Sequence, residues 1–325
     1  WWIQPQVVDW SDEQLEKAIQ AQRDVGFDLL WLLNAAGVLA QDGGADLLER
    51  IYSLADQKNM KVIIDLPQGG WYRKASAEDL IALVTEAVRD LHGRYGHHSS
   101  FHAWYLNYEI NPIRPGDTEE TAFWRHVWKS IAAECHRVAP GSLVTISPFF
   151  LLDDTSRRGF IYLTPQQYAD WWGATLKETG IDVIMLQDSG EHLAFFTLEQ
   201  REPYWAATAR AAREAGAQFW LNVETGEADV RSWDEFLPLE AQRKVPWRFT
   251  PIEWLEQKLL LAAKYSDNII NWGYFPFMDP YRNEGGQGAS GGEFGEEAEA
   301  SRAAYKQYQA YYQRVMSSPV SQSPL

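Results

Sequence analysis

The sequence predicts an α/β protein, a single (β/α)8 TIM barrel with elaborated loops at the strand C-terminal face. Three features predict it. Short apolar runs alternate with amphipathic segments, glycines close several of the segments that lead back into strands, and the segments after strands are longer and richer in Trp, Asn, Asp and Gly. Such alternation builds a parallel sheet covered by helices. Loop elaboration at one pole marks the face where barrels of this kind carry their sites.

Strands are expected at residues 2–4, 28–33, 62–66, 103–107, 143–147, 183–187, 219–223 and 269–272. Helical patterns follow each, most clearly at 12–24, 44–57, 77–92, 119–138, 165–179, 199–215, 252–265 and 296–314. Ser11 with Gln14, and Ser76 with Asp79, read as helix caps because a hydroxyl can accept from the otherwise unpaired amides of the first turn. Gly26, Gly180 and Gly216 sit where helices should stop before short connections. The segment 283–295 is glycine-rich and the chain beyond Met316 is rich in Ser and Pro, so both read as mobile. No solenoid-period repeat or interior linker is visible. The expected organisation is one barrel domain over 1–316 and a flexible tail over 317–325.

Lys and Arg total 29 against 45 acidic residues, a net charge of -16 over 325 residues, with no basic cluster. This opposes nucleic acids and anionic membrane surfaces as partners. A single cysteine, Cys135, rules out an internal disulfide and a cysteine-rich zinc site. No apolar run approaches the roughly 20 residues of a membrane span. The chain opens on Trp1-Trp2-Ile3-Gln4, already strand-like. That suggests removal of a signal peptide or linker upstream, hence an extracellular or periplasmic location, with a cytoplasmic one left open.

Two stretches share a pattern, Tyr105-Leu106-Asn107-Tyr108-Glu109 and Trp220-Leu221-Asn222-Val223-Glu224. Alternate side chains of a strand share a face, so Asn107 should project with Glu109 and Asn222 with Glu224. In the expected order Glu109 follows strand four and Glu224 strand seven, both directed at one mouth. Cleavage of a glycoside needs one carboxyl to protonate the leaving oxygen and another to act as nucleophile or activate water. A strand-end Glu can instead cap a helix or pair at the rim, but the repeated context favours the catalytic reading.

Substrate-binding candidates follow from position. Gln187 and Asp188 end strand six, although Asp188 before Gly190 also suits a turn. Tyr108 could desolvate Glu109, and Asn222 could serve Glu224 or a sugar hydroxyl. Asp65 and Asn34, with Gln68, are weaker cases after strands three and two. Aromatic residues make up 14% of the chain, with 16 tryptophans. Trp71, Tyr72, Phe149, Phe150, Trp233, Trp272 and Tyr274 fall in expected mouth loops and could stack on pyranose faces, although packing would explain any one of them. Trp71 and Trp272 are the first choices. Trp124, Trp128 and Trp205 lie on helical patterns and read as packing.

No metal site and no cofactor are expected. His92, His97, His98, His102, His126 and His136 lie away from the strand C-termini, leaving His192 alone in a mouth loop, and no spacing suits three zinc ligands. A structural cation held by carboxylates stays open. No Gly-x-Ser-x-Gly elbow occurs. The run 286–291 matches a dinucleotide fingerprint in letters, but no strand precedes it and acidic residues follow.

The stretches 104–109, 146–150, 181–188 and 220–224 resemble those of clan A glycoside hydrolases and, more closely, of the domain-of-unknown-function family 4434, a group of glycosidase-like barrels. The resemblance implies that Glu109 is the acid/base and Glu224 the nucleophile of a retaining hydrolase acting on an oligo- or polysaccharide. It departs at Tyr108, which separates Asn107 from Glu109 where the clan has the two adjacent. The alternatives are a barrel that binds polysaccharide without cleaving it and a metal-dependent hydrolase. Sugar, linkage and oligomeric state are not readable.

Overall fold

The computed structural model describes residues 1, 3, 5–68, 75–112, 114, 116–281 and 298–318. Its strands are β1 (Leu29–Leu32), β2 (Lys61–Asp65), β3 (Phe101–Leu106), β4 (Leu143–Ile146), β5 (Val183–Asp188), β6 (Gln218–Glu224), β7 (Gly226–Ala228), β8 (Trp247–Phe249) and β9 (Asn268–Trp272). Seven of them form one parallel sheet in the order β1-β2-β3-β4-β5-β6-β9, and β7 pairs antiparallel with β8. The fold is a (β/α)8-type barrel. The expected first strand falls partly on residues 2 and 4, which lie outside the described residues. Ile3 N–H donates to the Leu33 carbonyl at 3.1 Å and Leu33 N–H to the Trp1 carbonyl at 2.8 Å, a parallel pairing beyond the end of β1.

The helices are α1 (Asp12–Asp24), α2 (Ala35–Leu39), α3 (Gly44–Gln57), α4 (Ala77–Tyr95), α5 (Thr118–Val138), α6 (Pro165–Thr179), α7 (Leu198–Glu214), α8 (Trp233–Ala241), α9 (Ile252–Ala262), α10 (Tyr274–Met278) and α11 (Ala298–Ser317), with a 3-10 turn at Pro5–Asp9. Local sequence explains several boundaries. Ser11 and Gln14 form a capping box that starts α1, and Ser76 accepts from the Asp79 amide at the start of α4. Thr164 and Gln167 start α6 with Pro165 in the first turn, and Gly180 ends it at φ 72. Helix α4 runs past residue 92, through Gly93, to Tyr95, which is still buried.

Period-two alternation divides the core into two layers. Trp31, Ile63, Ala103, Tyr105, Val183, Met185, Trp220 and Ile270 fill the barrel interior. Leu30, Leu32, Val62, Ile64, Trp104, Leu106, Ile184, Leu186, Phe219 and Leu221 face the helices. Among the described residues no helix is long and apolar enough to cross a membrane. Helix α11 continues through Ser317, one residue into the expected tail, while 283–295 and 319–325 lie outside the described residues.

Candidate active site

Glu224 comes to the mouth by alternation along β6. Trp220, Asn222 and Glu224 share the inward face, and in register Asn222 lies beside Gln187 of β5 and Glu224 beside Trp272 of β9. Glu224 is 7% exposed, and its Oε2 accepts from the Gly190 amide at 2.8 Å. Gly190 is required there, because a Cβ would lie 1.9 Å from the Gly226 carbonyl oxygen. Behind the strand, Lys258 Nζ donates to the Glu224 backbone carbonyl at 2.9 Å. Burial raises the Glu224 carboxyl well above its ordinary range; the Gly190 amide and the Lys258 charge oppose that rise, and the charges of Asp188 and Glu109 add to it.

Glu109 follows β3, which ends at Leu106 with a tight turn in which Tyr108 N–H donates to the Leu106 carbonyl at 2.7 Å. Burial pushes its carboxyl up to about 7, the Glu191 charge adds to the rise, and the Gln187 amide, hydrogen-bonded to it, opposes it. Gln187 is held in turn by the Ser147 carbonyl, to which it donates at 2.9 Å. Asn107 donates to Asp65 at 3.0 Å and accepts from Gln68 at 2.8 Å.

One cavity of about 890 Å³ takes in both glutamates. Asn107, Gln187, Asn222, Trp272 and Tyr274 also line it, with Phe149, Phe160, Trp247, Arg158, Glu191 and His192. It continues along the seam between β1 and β9 to the opposite pole, where Asp28, Lys61 and His102 line it. The mouth thus combines aromatic faces with amides and carboxyls, the composition that recognises a polar ring with apolar faces.

Four expected substrate contacts lie elsewhere. Asp188 is the outward neighbour of Gln187 on β5 and is fully buried, with Oδ1 held by Arg201 at 2.6 Å and Oδ2 by Lys258 at 2.6 Å. Tyr108 turns into the helical layer, with its ring 5.2 Å from Trp124. Asp65 is buried at the end of β2 and accepts from the Asn34 and Ala35 amides, each at 2.8 Å, while Asn34 donates to the Ile3 carbonyl at 3.0 Å. These two side chains serve the turn into α2. Phe150 stacks on Tyr204 at 4.5 Å and Trp233 packs with Phe195 and Phe236, both off the cavity wall. Trp71 and Tyr72 lie outside the described residues. Trp128 and Trp205 are fully buried.

Arg158, Phe160, Glu191, His192 and Trp247 are among the cavity residues that were not selected as substrate contacts from the sequence. Arg158 belongs to the β4–α6 connection, whose path no local pattern reveals, and Glu191 could have been weighed as a third carboxylate. Burial, and then the Arg158 charge, push the His192 ring well below its ordinary value, so it is neutral. Glu191, His192 and Glu240 offer ligand atoms within 4.8 Å of one another, but Arg158 hydrogen-bonds Glu240 and lies 3.8 Å from Glu191. A guanidinium supplies the positive charge there and disfavours a metal cation.

Solved structures similar to this chain are glycoside hydrolases. A Bacteroides thetaiotaomicron protein provisionally named an alpha-L-fucosidase aligns with a TM-score of 0.69 at 17% identity, covering 94% of this chain and 88% of its own. An endo-beta-1,4-mannanase from Thermotoga petrophila aligns at 0.57 and 13%, covering 94% and 75%. A GH10 endoxylanase from a sugarcane soil metagenome aligns at 0.58 and 14%, covering 95% and 96%. At such identities the likeness is one of fold. No curated protein matches the chain. Residues 1–284 match the domain of unknown function DUF4434, and the chain belongs to that family.

Proposed function

We propose that this barrel is a retaining glycoside hydrolase, with Glu109 as acid/base and Glu224 as nucleophile, acting on an oligo- or polysaccharide. The observation that carries the reading is the convergence of two carboxyls from strands on opposite sides of the mouth, β3 and β6, on one cavity. Retaining enzymes hold their carboxyls about 5–5.5 Å apart, inverting ones about 6.5–9.5 Å. The likeness to clan A glycoside hydrolases favours the shorter spacing.

The donor sets separate the roles. Burial raises Glu224 as well, but the Gly190 N–H it accepts and the nearby Lys258 charge oppose that rise and are the groups that would hold the negative charge a nucleophile needs. Burial, then the Glu191 charge, raise Glu109 to about 7 against a single supporting amide, so a substantial share stays protonated near neutral pH as a general acid requires. Glu109 protonates the glycosidic oxygen as Glu224 attacks the anomeric carbon and the leaving group departs. Glu109, now a base, then takes a proton from the water that releases the sugar from Glu224.

Trp272 beside Glu224, and Phe149, Phe160 and Trp247 on the wall, can stack on sugar faces, while Asn107, Gln187 and Asn222 offer amides to hydroxyls. Glycoside-hydrolase neighbours support the carbohydrate class, and secretion to an extracellular or periplasmic site suits a polymeric substrate. The test is a screen of defined oligosaccharides with the first-formed anomer followed by NMR. Net retention is expected, with Glu109→Gln and Glu224→Gln each losing about 10²–10⁴-fold in kcat. Full activity in either variant, or binding of a polysaccharide with no cleavage by the wild type, would remove the assignment.

A further inference from the structure

At the pole opposite the mouth, helix α3 and the turn from α4 into β3 bring together Glu49, Asp56, His97 and His98. Glu49 and Asp56 are seven residues apart on α3 and so share a face. His98 is held on two sides. Its ring stacks on Tyr52 of the same helix, centroids 5.2 Å apart, and its Nδ1 lies 2.7 Å from Asp56 Oδ2. The other Asp56 oxygen accepts from the Ser99 hydroxyl at 2.8 Å and the Ser100 amide at 2.7 Å, which fixes the carboxylate. With Asp56 as acceptor of an Nδ1 proton, the imidazole lone pair sits on Nε2, the tautomer a metal ligand needs.

Nε2 faces a particular place. The His98 side chain is 6% exposed, and among the described residues Nε2 has no hydrogen-bond partner. Yet Glu49 Oε1 lies only 3.2 Å away. At that distance a missing hydrogen bond means that the oxygen stands off the Nε2 axis, so the two atoms address a common point beside them rather than each other. His97 Nε2 lies 3.9 Å from the same oxygen, and the three ligand atoms fall within 4.8 Å of one another. Tetrahedral zinc with bonds of about 2.0–2.2 Å sets neighbouring donors roughly 3.3–3.6 Å apart. The His98–Glu49 spacing is nearly there already. The His97 ring lies against that of His98, centroids 4.2 Å apart, and its side chain is 64% exposed, free to rotate its Nε2 towards the other two donors.

We propose that His98 Nε2, His97 Nε2 and a Glu49 carboxylate oxygen form a Zn²⁺ site completed by solvent, with Asp56 orienting His98. The metal joins α3 to the turn that starts β3, a structural clasp independent of the chemistry at the mouth. Two nitrogens and one oxygen suit zinc better than Mg²⁺ or Ca²⁺, which prefer all-oxygen shells.

The test titrates ZnCl2 into tag-free, EDTA-stripped and desalted full-length protein by calorimetry, with thermal melts in parallel. The wild type should bind one zinc and gain Tm with ZnCl2 but not with MgCl2. His97→Ala and Glu49→Gln alter exposed side chains and should fold normally, but each should weaken binding at least about tenfold and lose the Tm gain; Asp56→Asn should weaken it about 10–100-fold. Equal zinc affinity in wild type, His97→Ala and Glu49→Gln, or no saturable zinc binding by the wild type, would overturn the site.

Discussion

At the scale of the residue, Glu109 makes a demand on stability that goes with its proposed role. Its folded-state pKa is raised by burial and the Glu191 charge from 4.5 to about 7, so the folded chain holds this proton more tightly than the unfolded chain does. Below the unfolded value both states are protonated and there is no penalty; the penalty grows as pH rises towards 7 and is complete above it. Its size is on the order of 3–4 kcal/mol. Glu109→Gln should therefore stabilise the protein by about that amount at pH 8 and change little at pH 4, measured by urea unfolding at both values. An equal effect at the two pH values would mean that Glu109 is not buried as a strained acid. A stabilising substitution that also removes activity is the signature of a functional group. Tyr108 teaches a related point. The inserted residue is absorbed by the tight turn after Leu106, which sends its ring to Trp124 while Asn107 and Glu109 both reach the cavity.

At the scale of the element, β5 separates two functions by alternation. Gln187 points inward to the cavity and Asp188 outward to a dry ion cluster with Arg201 of α7 and Lys258 of α9. Lys258 also holds the Glu224 carbonyl, so the cluster fixes the end of β6 from behind. Lys258→Met would leave a buried Asp188 only half compensated and should cost about 3–5 kcal/mol. Denaturant unfolding measures it, and a loss well under 1 kcal/mol would contradict the cluster's structural role. The sequence already held the correction. Period two places neighbours on opposite faces, so Gln187 and Asp188 cannot both meet one ligand from a regular strand. The long helices, seven of the eight expected strands and the caps at Ser11 and Ser76 were readable because periodicity and capping are local. Elements β7, β8, α2, α8 and α10 were not, since three to nine residues carry too little pattern and α8 and α10 contain Pro238 and Pro276. The packing of Gly190 on Gly226, which lets a backbone amide reach Glu224, is a long-range contact with no local signature.

At the scale of the whole molecule, a net charge of -16 and a mouth bearing Glu109, Glu191 and Glu224 disfavour polyanionic substrates and suit neutral sugars. Strand order, inward alternation and the cavity together bring both glutamates to one cleft. Their addresses followed from counting strands; their electrostatics came only with the fold, because Gly190, Glu191 and Lys258 reach the site from separate connections. The most direct test of the pair is trapping. A panel of activated 2-deoxy-2-fluoro glycosides, which slow release of the glycosyl-enzyme, is incubated with the wild type and with Glu224→Gln, followed by intact mass and peptide mapping. A single adduct on Glu224 of the wild type, absent from Glu224→Gln, is the predicted result; an adduct on Glu109, or turnover with inversion and no adduct, would contradict the assignment.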